Sequence, residues 1–106
     1  MHLTRWNVEE MTGYHPITTF WEDFSIADNF GASAIKDTYR RAFKEWKVNY
    51  KYMTELVMVL NYKIWQWYGH NDTYAKIYKD LWQQANDWCC DNLTGKELDY
   101  FYRITD

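Results

Sequence analysis

A row of large apolar residues that repeats in alternating steps of four and three constrains this chain more than any other feature. The row has nine members: Tyr39, Phe43, Trp46, Tyr50, Met53, Val57, Leu60, Ile64 and Trp67. Alternation of this kind over four heptads is typical of a helix that buries one face along its whole length. Two separate helices would have no reason to keep one phase across their junction. We therefore predict a single helix over about 34–68, roughly 50 Å long, rather than a break near Val48–Asn49.

A shorter helical pattern precedes this row. Its apolar residues fit one face of a helix near 20–30: Phe20, Phe24, Ala27 and Phe30. Thr19 with Glu22 matches a capping box at its start, and Gly31 suits the position just beyond its end. Residues 1–18 show no sustained period. We predict a partly ordered N-terminal arm there, followed by a single helical domain over 19–106.

Two further helices are predicted after the row. Gly69 should end the long helix and Asn71 or Asp72 should cap the next, which extends over about 72–92. Thr94 and Glu97 form a second capping box before a last helix near 95–103. The connection between the long helix and the helix over 72–92 is so short that these two helices must be antiparallel neighbours. We predict an all-α fold: an irregular three- to four-helix bundle built on a long antiparallel hairpin, 34–68 against 72–92.

Cysteine usage and hydropathy indicate the compartment. Cys89 and Cys90 are adjacent, and neighbouring residues rarely form a disulfide, which favours a reducing environment. The longest wholly apolar run is the five residues 56–60, far short of the roughly 20 needed to cross a bilayer. Nothing at the N-terminus resembles a signal peptide. We predict a soluble, cytoplasmic protein without membrane contact.

The chain lacks the motifs that usually indicate catalysis or metal binding. The three histidines are scattered: His2, His15 and His70. Cys89 and Cys90 lack the spacing of a zinc knuckle, and their position near a helix C-terminus disfavours a reactive thiolate. No glycine-rich phosphate loop or Gly-x-Ser-x-Gly elbow is present. We predict no enzymatic activity, no metal ion and no cofactor.

Aromatic residues make up 21% of the chain, more than a small core requires. Trp and Tyr are the residue types most enriched at binding hot spots. Among those on the long predicted helix but outside the apolar row, we single out three: Tyr52, Tyr62 and Trp65. Those that the flanking helices leave uncovered are our candidate surface for a protein partner, or for a second copy of the chain.

Basic side chains form a stripe beside the apolar row. On one helix, five of them fall within an arc of about 80°: Lys36, Arg40, Lys44, Lys47 and Lys51. Such a stripe can bind phosphates, so a nucleic-acid-associated accessory protein is our second hypothesis, which the net charge of −3 disfavours. Folding of the hairpin would also bring the section 44–51 alongside acidic residues that can neutralise it: Asp87, Asp91, Glu97 and Asp99.

The segments Pro16–Phe24, Thr54–Asn61 and Asp99–Arg103 resemble small proteins carried on phage and conjugative elements of gut Firmicutes. The resemblance covers most of the chain from about Thr12 onward and includes no functional motif. It implies a cytoplasmic protein that binds a host protein, as anti-CRISPR inhibitors do. Our first hypothesis is therefore a non-enzymatic protein-binding module, an inhibitor or adaptor. A small enzyme or ligand carrier with an aromatic pocket is the third.

Overall fold

Helices account for most of the described residues in the computed structural model, which describes residues 16–105 and, from Phe20 onward, their side chains. Five helices occupy this range: α1 (Pro16–Asp28), α2 (Ala32–Trp46), α3 (Tyr50–Trp67), α4 (Asp72–Asn92) and α5 (Lys96–Thr105). No strand occurs within it, so the prediction of an all-α bundle is confirmed. Of the predicted arm at 1–18, residues 1–15 lie outside the described range and residues 16–18 belong to α1.

The prediction of one continuous helix over 34–68 is wrong, because the segment is divided between α2 and α3. Asn49 adopts an extended conformation, with φ of −113° and ψ of 102°. Its side-chain oxygen accepts hydrogen bonds from the backbone amides of Lys51 and Tyr52 at 3.1 and 3.2 Å, which is the geometry of an N-cap. The apolar residues of α2 and α3 keep the same four–three spacing across the break because both helices bury them in one core, for example at Trp46 and Met53.

The antiparallel hairpin is therefore formed by α3 and α4. Its connection follows the predicted signals closely: Gly69, with φ of +80°, comes directly after the C-cap of α3, and the Asn71 side chain accepts a hydrogen bond from the Tyr74 amide at 3.1 Å. The predicted helix over 72–92 is confirmed as α4. This pair of helices makes the most extensive contact in the bundle.

Helix α3 occupies the centre of the bundle and contacts all four other helices. In addition to the apolar row it carries a second buried row, in steps of four, three and four: Tyr52, Leu56, Val59 and Lys63. The Tyr52 ring lies against Trp46, at 4.4 Å between centroids, and meets Phe20 edge-on at 6.3 Å. A helix buried on two faces explains why the region 56–60 is continuously apolar.

Helix α1 begins and ends earlier than its pattern predicted. It starts at Pro16, so Thr19 lies inside the helix and the predicted Thr19–Glu22 capping box is wrong. Proline suits this first position, since its fixed φ is helical and its missing amide would have had no partner there. The helix ends at Asp28, which leaves Phe30, predicted to be core, in a turn where it is 77% exposed.

Candidate functional site

An open groove between α3, α4 and α5 is the first surface feature that stands out. We call it the α3–α5 groove, and its volume is about 540 Å³. Eleven residues line it: Val57, Met58, Asn61, Tyr62, Trp82, Asn86, Cys90, Phe101, Tyr102, Ile104 and Thr105. None of them carries a charge at neutral pH. The groove thus offers apolar surface with hydroxyl, amide and thiol groups at its margins, and no carboxylate, imidazole or ammonium group.

Exposed aromatic rings border this groove. Tyr62 and Tyr102 are 44% and 45% exposed, and the Tyr102 hydroxyl lies 3.9 Å from the Cys90 sulfur. Trp65 follows Tyr62 by three residues and therefore lies on the same side of α3. Its ring contacts that of Tyr68 at 5.6 Å, and both are 66% exposed. Together they continue the aromatic surface toward the C-terminal end of α3.

The three aromatic residues predicted for partner binding differ in their exposure to solvent. Tyr62 and Trp65 are exposed, as that prediction requires. Tyr52 is fully buried, so its assignment to a binding surface is wrong. The physical reason is the break at 47–49, which brings Trp46 and α1 onto the face of α3 that carries Tyr52.

The predicted basic stripe is shorter than expected. Four of its five members are exposed and lie on α2 and its C-cap, and we call these the basic row: Lys36, Arg40, Lys44 and Lys47. Lys51 belongs to α3 and is partly buried, with its ammonium about 6 Å from the ring centroids of Tyr50 and Tyr100. Neither Lys44 nor Lys47 makes a salt bridge within the described residues, so the acidic residues that could neutralise this section do not pair directly with these two lysines.

A buried polar cluster joins α1 to the hairpin, and the sequence analysis missed it. Lys63 is fully buried, and its Nζ donates hydrogen bonds to Asp28 Oδ2 at 2.6 Å, Gln66 Oε1 at 2.7 Å and Ser25 Oγ at 3.1 Å. The same ammonium lies 4.5 Å from the centroid of the Trp21 ring. Three acceptors and an aromatic face replace the water that this cation loses on burial.

The carboxylate of Asp28 is satisfied from the hairpin side as well. Besides Lys63 it accepts hydrogen bonds from the Tyr78 hydroxyl at 2.5 Å and from Trp67 Nε1 at 3.2 Å. The Tyr74 hydroxyl donates to the Asp28 carbonyl at 3.0 Å, which caps the C-terminal end of α1. Burial, and then the hydrogen bond to Asp28, raise the pKa of Tyr78 far above its ordinary value. The polar groups of the cluster are buried and hydrogen-bonded to one another. This arrangement is typical of a cluster that holds α1 against the hairpin rather than of a reaction site.

A second open groove, of about 890 Å³, lies between α1 and α2. Small residues line much of it: Ala27, Ala34, Thr38 and Ala42. Ile26 and Phe30 border it and are largely exposed. Charges of both signs also line it, and two of them neutralise each other in the exposed Arg40–Asp37 salt bridge of 2.7 Å.

The two cysteines differ in environment. Cys89 is buried, and this burial, followed by the influence of Cys90, raises the pKa of its thiol to about 12. Cys90 is exposed beside the α3–α5 groove. Within the described range, no three His, Cys, Asp or Glu side chains come together to hold a metal ion. None of the helices in that range combines the length and apolarity that crossing a bilayer requires.

Comparison of the chain with protein-family models, with curated proteins and with solved structures finds no match. The resemblance of its three segments to mobile-element proteins therefore stays a prediction.

Proposed function

We propose that this protein is a non-enzymatic protein-binding module that uses the α3–α5 groove as its docking surface. The observation that carries the proposal is an open, uncharged groove bordered by Tyr62 and Tyr102, each exposed over nearly half of its surface. A neutral groove of this kind suits the apolar face of a partner, because a charged side chain inserted there would lose its water without gaining a counter-charge. Polar groups at the margin can then satisfy the partner's hydrogen bonds.

The exposed aromatic residues supply the binding energy in this proposal. Trp and Tyr dominate hot spots because they bury large areas while losing few rotamers, and replacing one with Ala commonly costs 2 kcal/mol or more, on the order of a 30-fold loss of affinity. Trp65 and Tyr68 extend the surface beyond the groove and favour a partner that also contacts the end of α3.

The resemblance to mobile-element proteins extends the proposal to the class of partner. A chain carried on a phage or conjugative element would meet a host protein, and an uncharged docking groove suits an inhibitor or adaptor, of which anti-CRISPR proteins are one kind. The prediction of a cytoplasmic location belongs with this proposal.

Affinity capture with matched variants tests the groove. The tagged chain would be incubated with lysate of the host, and captured proteins quantified for wild type, for Tyr62→Ala with Tyr102→Ala, and for Trp65→Ala. Val48→Ala is the control, because Val48 is 89% exposed in the turn between α2 and α3 and lines neither groove. We expect at least one host protein to be captured equally by wild type and the Val48 variant, and at least tenfold less by the Tyr62/Tyr102 variant and by the Trp65 variant. Equal capture by all variants, with unchanged circular dichroism, would refute the proposal.

A further inference from the structure

We propose that the basic row on α2 is a second docking surface, and that it binds an acidic helix of a partner protein. Lys36, Arg40, Lys44 and Lys47 are all exposed. At 100° per residue they fall within an arc of about 80°, and they extend over about 16 Å of the helix. Lys47 continues the row because its backbone is still helical, with φ of −57° and ψ of −22°.

The fold gives this row little internal compensation. Lys36, Lys44 and Lys47 make no ion pair within the described residues, and the ion pair that Arg40 makes there is with the exposed Asp37 of its own helix. Like charges four residues apart destabilise a helix, and the row contains two such neighbours in succession. The helix dipole favours Lys44 and Lys47 near the C-terminus of α2, but it disfavours Lys36, which lies about one turn from the N-terminus.

The basic row also makes the distribution of charge along the chain uneven. Residues 32–47 contain five of the twelve Lys and Arg residues and two of the fifteen carboxylates, a net of +3. Because the whole chain carries −3, the remaining residues carry −6. An approaching acidic segment is thus attracted to α2, whereas the rest of the chain carries a net negative charge, which favours α2 as the docking position.

Spacing and surroundings favour a helix over a nucleic acid as the occupant. The cations are separated by about 6 Å, the rise of four helical residues, so an acidic helix with carboxylates at i, i+4, i+8 and i+11 repeats their spacing. Single-stranded nucleic acid needs exposed rings for base stacking. The aromatic residues of α2 do not supply them, since Tyr39 is buried and Phe43 packs edge-on against Trp88 at 5.5 Å.

This surface is separate from the one in the proposed function. No residue of α2 lines the α3–α5 groove. A chain with a neutral groove and an independent cationic helix can hold two different segments at once, which is the arrangement of an adaptor.

Fluorescence anisotropy with designed probes tests the inference. One labelled helical peptide carries four Glu residues at i, i+4, i+8 and i+11 in an Ala/Gln background, and a second has the same composition with the Glu residues spread around the helix. We expect the wild-type chain to bind the first at least tenfold more tightly. Lys36→Glu with Lys44→Glu should abolish binding, whereas Lys76→Glu with Lys79→Glu, an equal charge change on exposed positions of α4, should retain it.

Several outcomes would overturn the inference. Equal affinity for the two peptides, or equal loss in both charge-reversed chains, would show attraction by net charge alone. Tighter binding of an oligothymidylate or a DNA duplex than of the aligned peptide, with a steep salt dependence, would assign the row to nucleic acid. Trp65→Ala is expected to bind the peptide normally, so failure of the groove proposal leaves this test unaffected.

Discussion

The buried Lys63–Asp28 salt bridge allows a sharp test of how α1 is held to the hairpin. Lys63→Met keeps the length and volume of the side chain and removes its charge. The Asp28 carboxylate, 7% exposed, then stays buried with its hydrogen bonds from Tyr78 and Trp67 but without its counter-ion. Asp28→Asn leaves the opposite charge, that of Lys63, without its partner.

The expected change in the free energy of unfolding depends on which buried groups lose a partner in each variant. Removing one member of a buried ion pair typically costs about 3–5 kcal/mol. The double variant removes both charges. The single Asn oxygen can still accept from Trp67, and the Asn amide group can donate to the Tyr78 hydroxyl, whose own proton can turn to the Phe24 carbonyl at 3.4 Å. The Met thioether packs against the Trp21 ring. We therefore expect the double variant to be more stable than either single variant, within about 1.5 kcal/mol of wild type, and the coupling between the two positions to exceed about 1.5 kcal/mol.

Urea unfolding followed by circular dichroism measures these differences. At an m value of about 1–3 kcal/mol per molar, a loss of 3 kcal/mol moves the midpoint by roughly 1 M or more. Arg40→Met with Asp37→Asn is the control, because this salt bridge has side chains 71% and 60% exposed and its removal should leave the midpoint unchanged. If the two single-variant losses simply add in the Lys63–Asp28 double variant, the charges do not stabilise one another and the reasoning fails.

Three further predictions concern other parts of the fold. Asn49→Ala removes the acceptor for two amides at the start of α3 and should lower the free energy of unfolding by about 1 kcal/mol; unchanged urea midpoints would argue against the cap. Folding raises the pKa of Cys89 from 9.0 to about 12. The free energy of unfolding should therefore keep its full contribution from the neutral thiol below pH 9 and fall as the pH rises from 9 toward 12. Cys89→Ala should delay that decline to about pH 10, where tyrosines begin to titrate, and identical pH profiles for variant and wild type would exclude the thiol as the cause. A chromogenic disulfide reagent should modify Cys90 in the native chain and Cys89 only on unfolding, so two equally fast thiols would contradict the buried position of Cys89.

Local signals in the sequence were enough to place the hairpin and its turn. Asn71 and Gly69 act through their own backbone and nearest amides, so their effect can be predicted without knowledge of the rest of the fold. The break at Asn49 could not be predicted in the same way. Its side chain is equally compatible with the surface of a continuous helix, and the apolar phase that argued against a break is kept because both helices face one core.

The errors at Tyr52 and Lys63 have one cause. Both lie on the second buried row of α3, which becomes interior only when α1 packs across it. A lysine ordinarily indicates a solvent-exposed position, so the residue type at 63 does not by itself predict a core position. Its spacing of four and three from Tyr52, Leu56 and Val59 was the available signal, and it would have placed the lysine on a buried face.

The buried Lys63–Asp28 salt bridge, which holds α1 to the hairpin, also restricts which substitutions this sequence can accept. A single substitution at position 28 or 63 removes several kcal/mol from a fold whose whole stability, for a domain of ordinary size, is about 5–15 kcal/mol. Replacement of both positions together avoids most of that loss. In descendants of this chain we therefore expect the two positions to be either both kept or both exchanged, and the exposed salt bridge Arg40–Asp37 to drift freely.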